Sequence, residues 1–387
     1  MLASSAASHT LYSICLAGAP DANQKTDVRA AIDLALAHQG KSIGSEVEWL
    51  VGPSSYLPPD RVASAVLFFG GSNPSISSFS GALRKGVPCI PIVSDLSRVS
   101  AVLPSELAPL NAIDYSASGP SRVASAAMEV LGLLPKQRRV FVSYRRSESR
   151  DAAVQLFDAL SGSLFDVFLD THGVSPGDDF QEVLWHRLCD CDLLVMLDTA
   201  TYFSSRWTAA EYGRALAKGI SILRVAWPGV VASNRTATAH SIALQSSDIT
   251  PGNLLSLSAV AQIQSKIEEM RSLSCAARWL NMHSSIEQSV KKLGGEITGA
   301  GMAHSVQVKL PGGARWLLVP ALGVPTANSM QVAEEVANGT KVAVIYDHVG
   351  LRASWQGHLE WLGERISTVQ WLKASDLAWQ LADLEDL

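Results

Sequence analysis

The segment "SSRWTAAEYGRALAKG", residues 204–219, places a carboxylate, Glu211, one helical turn after an aromatic residue, Trp207. Residues four apart lie on one face of a helix, so the indole could form an apolar wall beside the carboxylate. A carboxylate in such a dry position can stabilise positive charge that develops during a reaction. The spacing is also typical of a core-facing tryptophan followed by an acid that the helix dipole favours. Ser204 or Ser205 is the candidate N-cap of this helix.

A second group of candidate residues follows a predicted strand earlier in the chain. Tyr144 and Arg145 come directly after the apolar run Val140–Val142. Ligands of open α/β sheets bind beyond the carboxyl ends of the strands, so both side chains are candidates to line a pocket. Tyr144 could stack on an aromatic ligand or simply pack, and Arg145 could bind phosphate or order a loop.

The elements that must position these residues alternate between strands and helices. From Arg138 to about Val230, apolar runs such as "RRVFVSY", "FDVFLD" and "CDLLVMLDT" are separated by segments with helical periodicity. Continuous apolar runs indicate strands that are buried on both faces, as in a parallel sheet. The pattern predicts a flavodoxin-like α/β domain over residues 138–232, which could extend to about residue 260.

Residues 1–134 show a similar alternation and predict another α/β domain with a parallel sheet. The segment "SAVLFFGGSNPSISSFSGALRKGVPCIPIV" matches "DLLVMLDTATYFSSRWTAAEYGRALAKGISILRV" in the order strand, turn-rich loop, helix ending in A-L-x-K-G, strand. When Gly86 and Gly219 are aligned, Ser78 takes the position of Glu211. The sequence therefore indicates an internal repeat whose first copy keeps the scaffold and lacks the carboxylate.

The remainder of the chain predicts a helical connector and a third domain. Residues 261–293 have helical periodicity that fits one long helix or two. Residues 294–387 combine predicted strands and helices, which indicates a small C-terminal α/β domain. The Ser/Thr-rich residues 231–260 could form a lid, a long loop or the end of the middle domain.

The composition is that of a globular protein, with 47% hydrophobic residues, 17% charged residues and a formal net charge of −5. This balance excludes nucleic-acid binding by bulk positive charge and gives no basic patch for anionic membranes. No apolar run reaches the ~20 residues that span a bilayer. The N-terminal residues lack the basic region of a secretory signal. The five cysteines are scattered without metal-ligand spacing, so we expect no metal site and a reducing, cytoplasmic location.

The middle domain resembles a TIR (Toll/interleukin-1 receptor) domain. The resemblance is carried by the F-V-S-Y-R first strand, the D-x-x-x-x-x-P-G-D loop, the apolar third strand and the S-x-W-x-x-x-E helix start. Their order and spacing imply a flavodoxin-like TIR fold, preceded by a degenerate TIR-like domain and followed by the small α/β domain. By position, Glu211 matches the carboxylate that is catalytic in the NAD⁺-cleaving members of the family.

The resemblance implies that NAD⁺ is the substrate and that no cofactor is required. Nicotinamide leaves NAD⁺ from a ring that is already cationic, so cleavage needs no general acid, whereas ordinary glycosides use two carboxylates. A single carboxylate at Glu211 can hold the ribose hydroxyls and stabilise the oxocarbenium-like charge. The candidate substrate-binding residues around it are Tyr144, Arg145, Ser204, Trp207 and Asp170.

The loop "DTHGVSPGDD", from Asp170 to Asp179, is rich in turn-forming residues. In TIR domains this loop packs against a neighbouring copy, and active sites are completed between subunits. The resemblance therefore implies that self-association controls activity. The candidate assembly residues are Gly173, Pro176, Gly177 and Asp178.

Two functional hypotheses from different classes follow. The first is a TIR-domain NAD⁺ glycohydrolase that gives ADP-ribose or its cyclised form. Such a protein would be a bacterial antiphage effector, activated when a nucleotide-like or protein signal drives oligomerisation into filaments. The alternative is a non-catalytic TIR scaffold that acts through protein–protein assembly. Glu211 favours the enzyme, because an adaptor needs no acid there, whereas the first domain, with Ser78, is predicted to sense a signal or to supply an assembly surface.

Overall fold

The computed structural model describes residues 10–169 and 180–384. The chain divides into two compact units, Met1–Lys136 and Gln137–Leu387. Both units consist of β-sheets with α-helices between their strands, which confirms the predicted α/β fold class. Among the described residues, no helix is both long and apolar enough to cross a membrane.

The first unit contains one five-stranded sheet. Its strands are β1 (Tyr12–Gly18), β2 (Val47–Val51), β3 (Ala63–Phe69), β4 (Cys89–Val93) and β5 (Ile113–Asp114). Its helices are α1 (Ala22–His38), α2 (Ser80–Arg84), α3 (Val99–Val102) and α4 (Tyr115–Val130). All strand pairs are parallel, in the order β2-β1-β3-β4-β5. The strands β1 and β3 are nearly all apolar and buried, because both faces of the sheet are covered.

The second unit begins with another five-stranded parallel sheet. Its strands are β6 (Arg139–Ser143), β7 (Asp166–Leu169), β8 (Leu193–Asp198), β9 (Ser221–Ala226) and β10 (His240–Ala243). The helices that connect them are α5 (Arg146–Gly162), α6 (Phe180–Asp190) and α7 (Arg206–Ala217). The order β10-β9-β8-β6-β7 has the same connectivity as the sheet of the first unit. This sheet is consistent with the flavodoxin-like fold expected of residues 138–232.

Residues 231–260 are part of this α/β layer rather than a separate lid. They supply the edge strand β10 and a small antiparallel hairpin, formed by β11 (Ile249–Thr250) and β12 (Leu254–Leu255). Gln155 on α5 holds the hairpin with two hydrogen bonds to the backbone of Leu255, at 2.9 and 2.7 Å.

Where one or two helices were expected over residues 261–293, the structure has a single helix of 36 residues, α8 (Leu257–Lys292). The side chain of Ser256 caps its first turn. Ile263 and Ile267, in the first half of α8, lie in the core of the second sheet. Ile286 and Val290, near its end, lie in the core of the next sheet. One continuous helix therefore belongs to two hydrophobic cores.

Beyond α8 the chain forms a third sheet. Its strands are β13 (Glu296–Ala300), β14 (Val306–Lys309), β15 (Arg315–Ala321), β16 (Val342–Tyr346) and β17 (Val369–Lys373). Its helices are α9 (Ala327–Ala337), α10 (Ala353–Arg365) and α11 (Leu377–Asp383). The strands follow chain order, with β13, β14 and β15 antiparallel and β15, β16 and β17 parallel. Among the described residues, short 3₁₀ helices span Leu96–Arg98, Tyr202–Ser204, Asn234–Thr236, Ser246–Asp248 and Ala374–Asp376.

Candidate functional site

Glu211 lies on the buried face of α7, which also carries Thr208, Tyr212 and Ala215. These positions are three and four residues apart, the spacing that places side chains on one helix face. Only 4% of Glu211 is exposed. Its carboxylate accepts a hydrogen bond from the hydroxyl of Ser143, the last residue of β6. The fold thus brings the acid to the carboxyl end of a central strand.

Tyr202 extends this contact into a buried chain of hydroxyl groups. The Tyr202 hydroxyl lies 2.6 Å from Ser143 Oγ. Ser143 has a single hydroxyl proton, which it donates to Glu211, so Tyr202 must be the donor to Ser143. Burial raises the pKa of Tyr202 well above its usual range, and the charge of Glu211 raises it further. Tyr202 therefore stays protonated and keeps the chain oriented toward the carboxylate.

The start of α7 is fixed by caps and turns. Ser205 is the N-cap, since its hydroxyl accepts from the Trp207 amide at 3.3 Å, whereas Ser204 lies in the preceding 3₁₀ helix. Gly219, with φ of 64°, takes the left-handed conformation directly after the helix. Trp207 is 36% exposed, and Cζ of the Arg206 guanidinium lies 4.6 Å from the centroid of its ring. Trp207 is therefore not the core-facing residue that the ordinary interpretation of the spacing expects.

An open pocket of about 730 Å³ lies against Glu211. Its wall combines the residues that follow β6 with those at the start of α7. The lining includes four of the predicted substrate-binding residues, namely Tyr144, Arg145, Ser204 and Trp207. The volume falls within the ~300–1,000 Å³ that is usual for ligand pockets. Asp170 and the assembly residues Gly173, Pro176, Gly177 and Asp178 lie outside the described residues.

Three arginines, Arg145, Arg146 and Arg206, line this pocket. Arg145 Nη1 donates to the carbonyl of Thr201 at 2.9 Å, and its Nε donates to the Ser147 hydroxyl at 3.1 Å. Arg145 was expected either to bind phosphate or to order a loop, and these two contacts are of the kind that orders a loop. Guanidinium groups at the rim also suit a phosphorylated ligand. Within the described ranges, no three His, Cys, Asp or Glu side chains are placed to hold a metal ion.

Glu148 holds the same loop from the start of α5. The amide and hydroxyl of Thr201 donate to its two carboxylate oxygens at 3.2 and 2.7 Å. Burial raises the pKa of Glu148, but the hydrogen bonds from Thr201 and the charge of Arg145 outweigh it, and the pKa is lowered overall. Glu148 therefore remains charged and fixes the segment between β8 and α7.

A buried ion pair joins the carboxyl ends of the neighbouring strands. Arg224 Nε on β9 lies 2.5 Å from the carboxylate of Asp198, the last residue of β8. Both side chains are almost fully buried, and Arg224 also donates to the carbonyl of Val230 at 3.1 Å. The pair anchors the loop that leads from β8 toward Tyr202.

The sequence interpretation missed Ser143, Tyr202, Glu148 and the Asp198–Arg224 pair. One available signal was that Ser143 and Asp198 are polar residues that end apolar strands, at the edge where ligands of such sheets bind.

A five-stranded parallel sheet, with a buried acid on the helix after its third strand, defines a flavodoxin-like α/β domain with a ligand pocket at its carboxyl edge. The family model of the TIR domain matches residues 140–253. The chain therefore contains a TIR domain, as the resemblance implied. The match extends past residue 232, the shorter of the two predicted ends of the domain. It includes β10 and part of the hairpin of β11 and β12.

The other comparisons add no functional information. The search of curated proteins found no match. One similar solved structure is a PurR family transcriptional regulator from Vibrio parahaemolyticus RIMD 2210633, with 17% identity over 67% of this chain and 92% of that chain. Its TM-score is 0.19, which is too low for any argument about fold or function.

Proposed function

We propose that this protein is an NAD⁺ glycohydrolase whose TIR domain cleaves the bond between nicotinamide and ribose. The observation that carries the proposal is Glu211, a carboxylate that is 4% exposed and yet lines a pocket at the carboxyl edge of the sheet. Burying a carboxylate is unfavourable, and α7 could pack without one. Buried acids in clefts are therefore candidates for catalysis.

The proposed reaction needs one carboxylate. The bond between ribose C1′ and the nicotinamide nitrogen breaks, and its electron pair neutralises the pyridinium ring as nicotinamide leaves. The ribose gains oxocarbenium character, which the negative charge of Glu211 stabilises. Water then attacks C1′ and loses a proton to give ADP-ribose, or a nitrogen of the adenine attacks to give the cyclised form. A carboxylate can accept several hydrogen bonds, so the contact from Ser143 does not exhaust Glu211.

The pocket lining supports recognition of NAD⁺ along its length. Arg146 and Arg206 are exposed at the rim, which suits the negative diphosphate. Trp207 is 36% exposed and Tyr144 is 3% exposed. We therefore assign ring stacking to Trp207 and a wall of the pocket to Tyr144.

The proposal extends to self-association. TIR domains commonly self-associate, and on this basis we propose that oligomerisation, filament formation included, brings a neighbouring copy against the pocket. A nucleotide-like or protein signal would trigger assembly, and loss of NAD⁺ in the cytoplasm would serve defence against phage. This part of the proposal rests on the presence of a TIR domain and on the resemblance of its sequence motifs to those of the TIR family.

The test is NAD⁺ turnover by the purified full chain at increasing protein concentration, with nicotinamide and ADP-ribose measured as products. Wild type is expected to cleave NAD⁺ with a steep dependence on protein concentration, and Glu211→Gln to abolish cleavage while the circular dichroism spectrum is retained. Asp158→Asn, at an exposed acid on α5, is the matched control and should cleave like wild type. Undiminished cleavage by folded Glu211→Gln would exclude Glu211 as the catalytic carboxylate.

The non-catalytic scaffold makes the opposite prediction. A scaffold would form oligomers and leave NAD⁺ intact at every concentration, in wild type and in Glu211→Gln alike. Light scattering on the same samples separates the two hypotheses, because it records assembly independently of turnover.

A further inference from the structure

A second pocket, of about 180 Å³, lies between the TIR domain and the C-terminal sheet. One side is formed by the carboxyl ends of the parallel strands, with Ala321 at the end of β15 and Asp347 directly after β16. The other side is formed by Lys218, which follows α7, and by Arg278 and Asn281 on α8. The carboxyl ends of parallel strands are the usual ligand-binding edge of α/β sheets.

The walls of this pocket are held together by specific contacts. Asp190, at the end of α6, accepts hydrogen bonds from the Val324 amide at 2.8 Å and from Arg139 Nη1 at 2.7 Å. Gly323, with φ of 77°, packs so closely on Asp190 that a β-carbon would approach Asp190 Oδ1 to 2.8 Å. These contacts fix the position of the pocket wall that contains Gly323.

The charge of the pocket favours an anion. Lys218 Nζ lies 2.5 Å from Asp347 Oδ2, and Arg278 donates to the carbonyls of Cys191 and Cys189 at 2.9 and 3.3 Å. Two cations thus face one carboxylate. An ammonium has three donors and a guanidinium has five, so these contacts leave donors available to a ligand.

We propose that this pocket binds a small organic anion, with a phosphate or carboxylate between Lys218 and Arg278. Met282, Ala321 and Ala374 supply an apolar wall for the body of the ligand. The volume is below the ~300 Å³ at which pockets for drug-sized ligands begin, so the ligand is the size of a single sugar.

Ligand binding here would act on the helix that carries Glu211. Lys218 is the C-cap of α7, about two turns after Glu211. An anion that takes Lys218 away from Asp347 loosens the contact between the end of α7 and the C-terminal sheet. This regulatory consequence rests on the proposed function, whereas the binding site does not.

Isothermal titration calorimetry on the full chain tests the site, with ribose 5-phosphate as the phosphate probe, gluconate as the carboxylate probe and ribose as the uncharged control. At least one anion should bind wild type and ribose should not, and the two anions distinguish the phosphate from the carboxylate. Arg278→Gln and Asn281→Asp should each weaken binding at least about tenfold, since one removes a cation and the other adds a like charge.

Asn281 is exposed on α8, so Asn281→Asp keeps the fold even where Arg278→Gln disturbs it. Gln288→Glu, exposed on the same helix and outside the pocket, is the matched control and should bind like wild type. Absence of binding by both anions, or binding that Asn281→Asp leaves unchanged, would overturn the proposal. Because heat is measured without turnover, the site can be established even where Glu211 proves non-catalytic.

Discussion

Ser143, at the end of β6, donates a hydrogen bond to the carboxylate of Glu211 on α7, 68 residues later in the chain. The hydrogen bond connects the first strand of the TIR sheet to the helix that follows the third strand. With Tyr202 behind it, Ser143 orients the acid, which lines the pocket. Ser143 and Tyr202 are therefore positioning residues for the proposed reaction.

Replacing Ser143 by alanine should lower the kcat of NAD⁺ cleavage by about 10- to 100-fold, because a hydrogen bond to a charged group contributes about 1.5–3 kcal/mol. In wild type the hydroxyl of Ser143 favours the charged form of the carboxylate by donating to it. Losing this donor favours protonation, so the acidic limb of the pH–rate profile should move to higher pH. KM should change little. The measurement is kcat and KM from about pH 5 to about pH 8.

Ser143→Thr keeps the hydroxyl and serves as the conservative control, with a kcat and pH profile near those of wild type. A purely structural role for Ser143 would lower the thermal stability of Ser143→Ala and leave the pH profile in place. That result would contradict the assignment of Ser143 as a positioning residue.

Tyr202→Phe should have a smaller effect, about 2- to 10-fold on kcat, because Tyr202 reaches Glu211 only through Ser143. The double variant Ser143→Ala, Tyr202→Phe should be no slower than Ser143→Ala alone, since residues in one hydrogen-bond network are not additive. Kinetic measurements on wild type, the two single variants and the double variant complete a double-mutant cycle. Additive losses of activity would show that Tyr202 acts independently of Ser143.

The fold of the TIR domain was predictable because each of its parts has a local signal. Strands such as β8 are continuous apolar runs, and α7 has a serine cap and a glycine after its last turn. Alternating strands and helices then leave few possible topologies. The extent of α8 was less predictable, because its polar and apolar positions change faces where it passes from one core to the next.

The candidate site was only partly predictable. Glu211, Tyr144 and Trp207 belong to local motifs, and the structure places them around one pocket. The hydroxyl chain and the Asp198–Arg224 pair depend on which strands become neighbours, and local sequence carries no record of that pairing. The repeat illustrates the same limit, since Ser78 lies in the turn before the five-residue helix α2, whereas its counterpart Glu211 lies within a helix of twelve residues.

Arg224→Met should destabilise the second unit by about 3–5 kcal/mol, because it leaves the carboxylate of Asp198 buried without its cation. Burial raises the pKa of Asp198, with Arg224 opposing it, so loss of Arg224 also favours protonation of the acid. Urea unfolding measures the change. Arg150→Met, at an exposed position of α5, is the matched control and should lie within about 0.5 kcal/mol of wild type. Equal effects of the two variants would mean that the buried pair contributes no stability.

His186, on α6, connects stability to pH at the junction with the C-terminal sheet. Its Nδ1 accepts a hydrogen bond from the Arg352 amide at 3.4 Å. Burial, together with the charges of Arg187, Arg352 and Arg139, lowers the pKa of His186 from 6.5 to about 4, with Glu182 opposing. The folded protein therefore binds this proton less readily than the unfolded chain does.

The sign of the effect follows from this difference. The stability that neutral His186 contributes is fully present above pH 6.5 and is lost as the pH falls from 6.5 toward about 4. His186→Asn cannot gain the proton and can still accept from Arg352 through its amide oxygen, so its melting temperature should fall less than that of wild type over this range. Melting curves at successive pH values test this, with His240→Asn, at an exposed histidine, as the control. Parallel curves for wild type and His186→Asn would show that other groups set the acid sensitivity of the second unit.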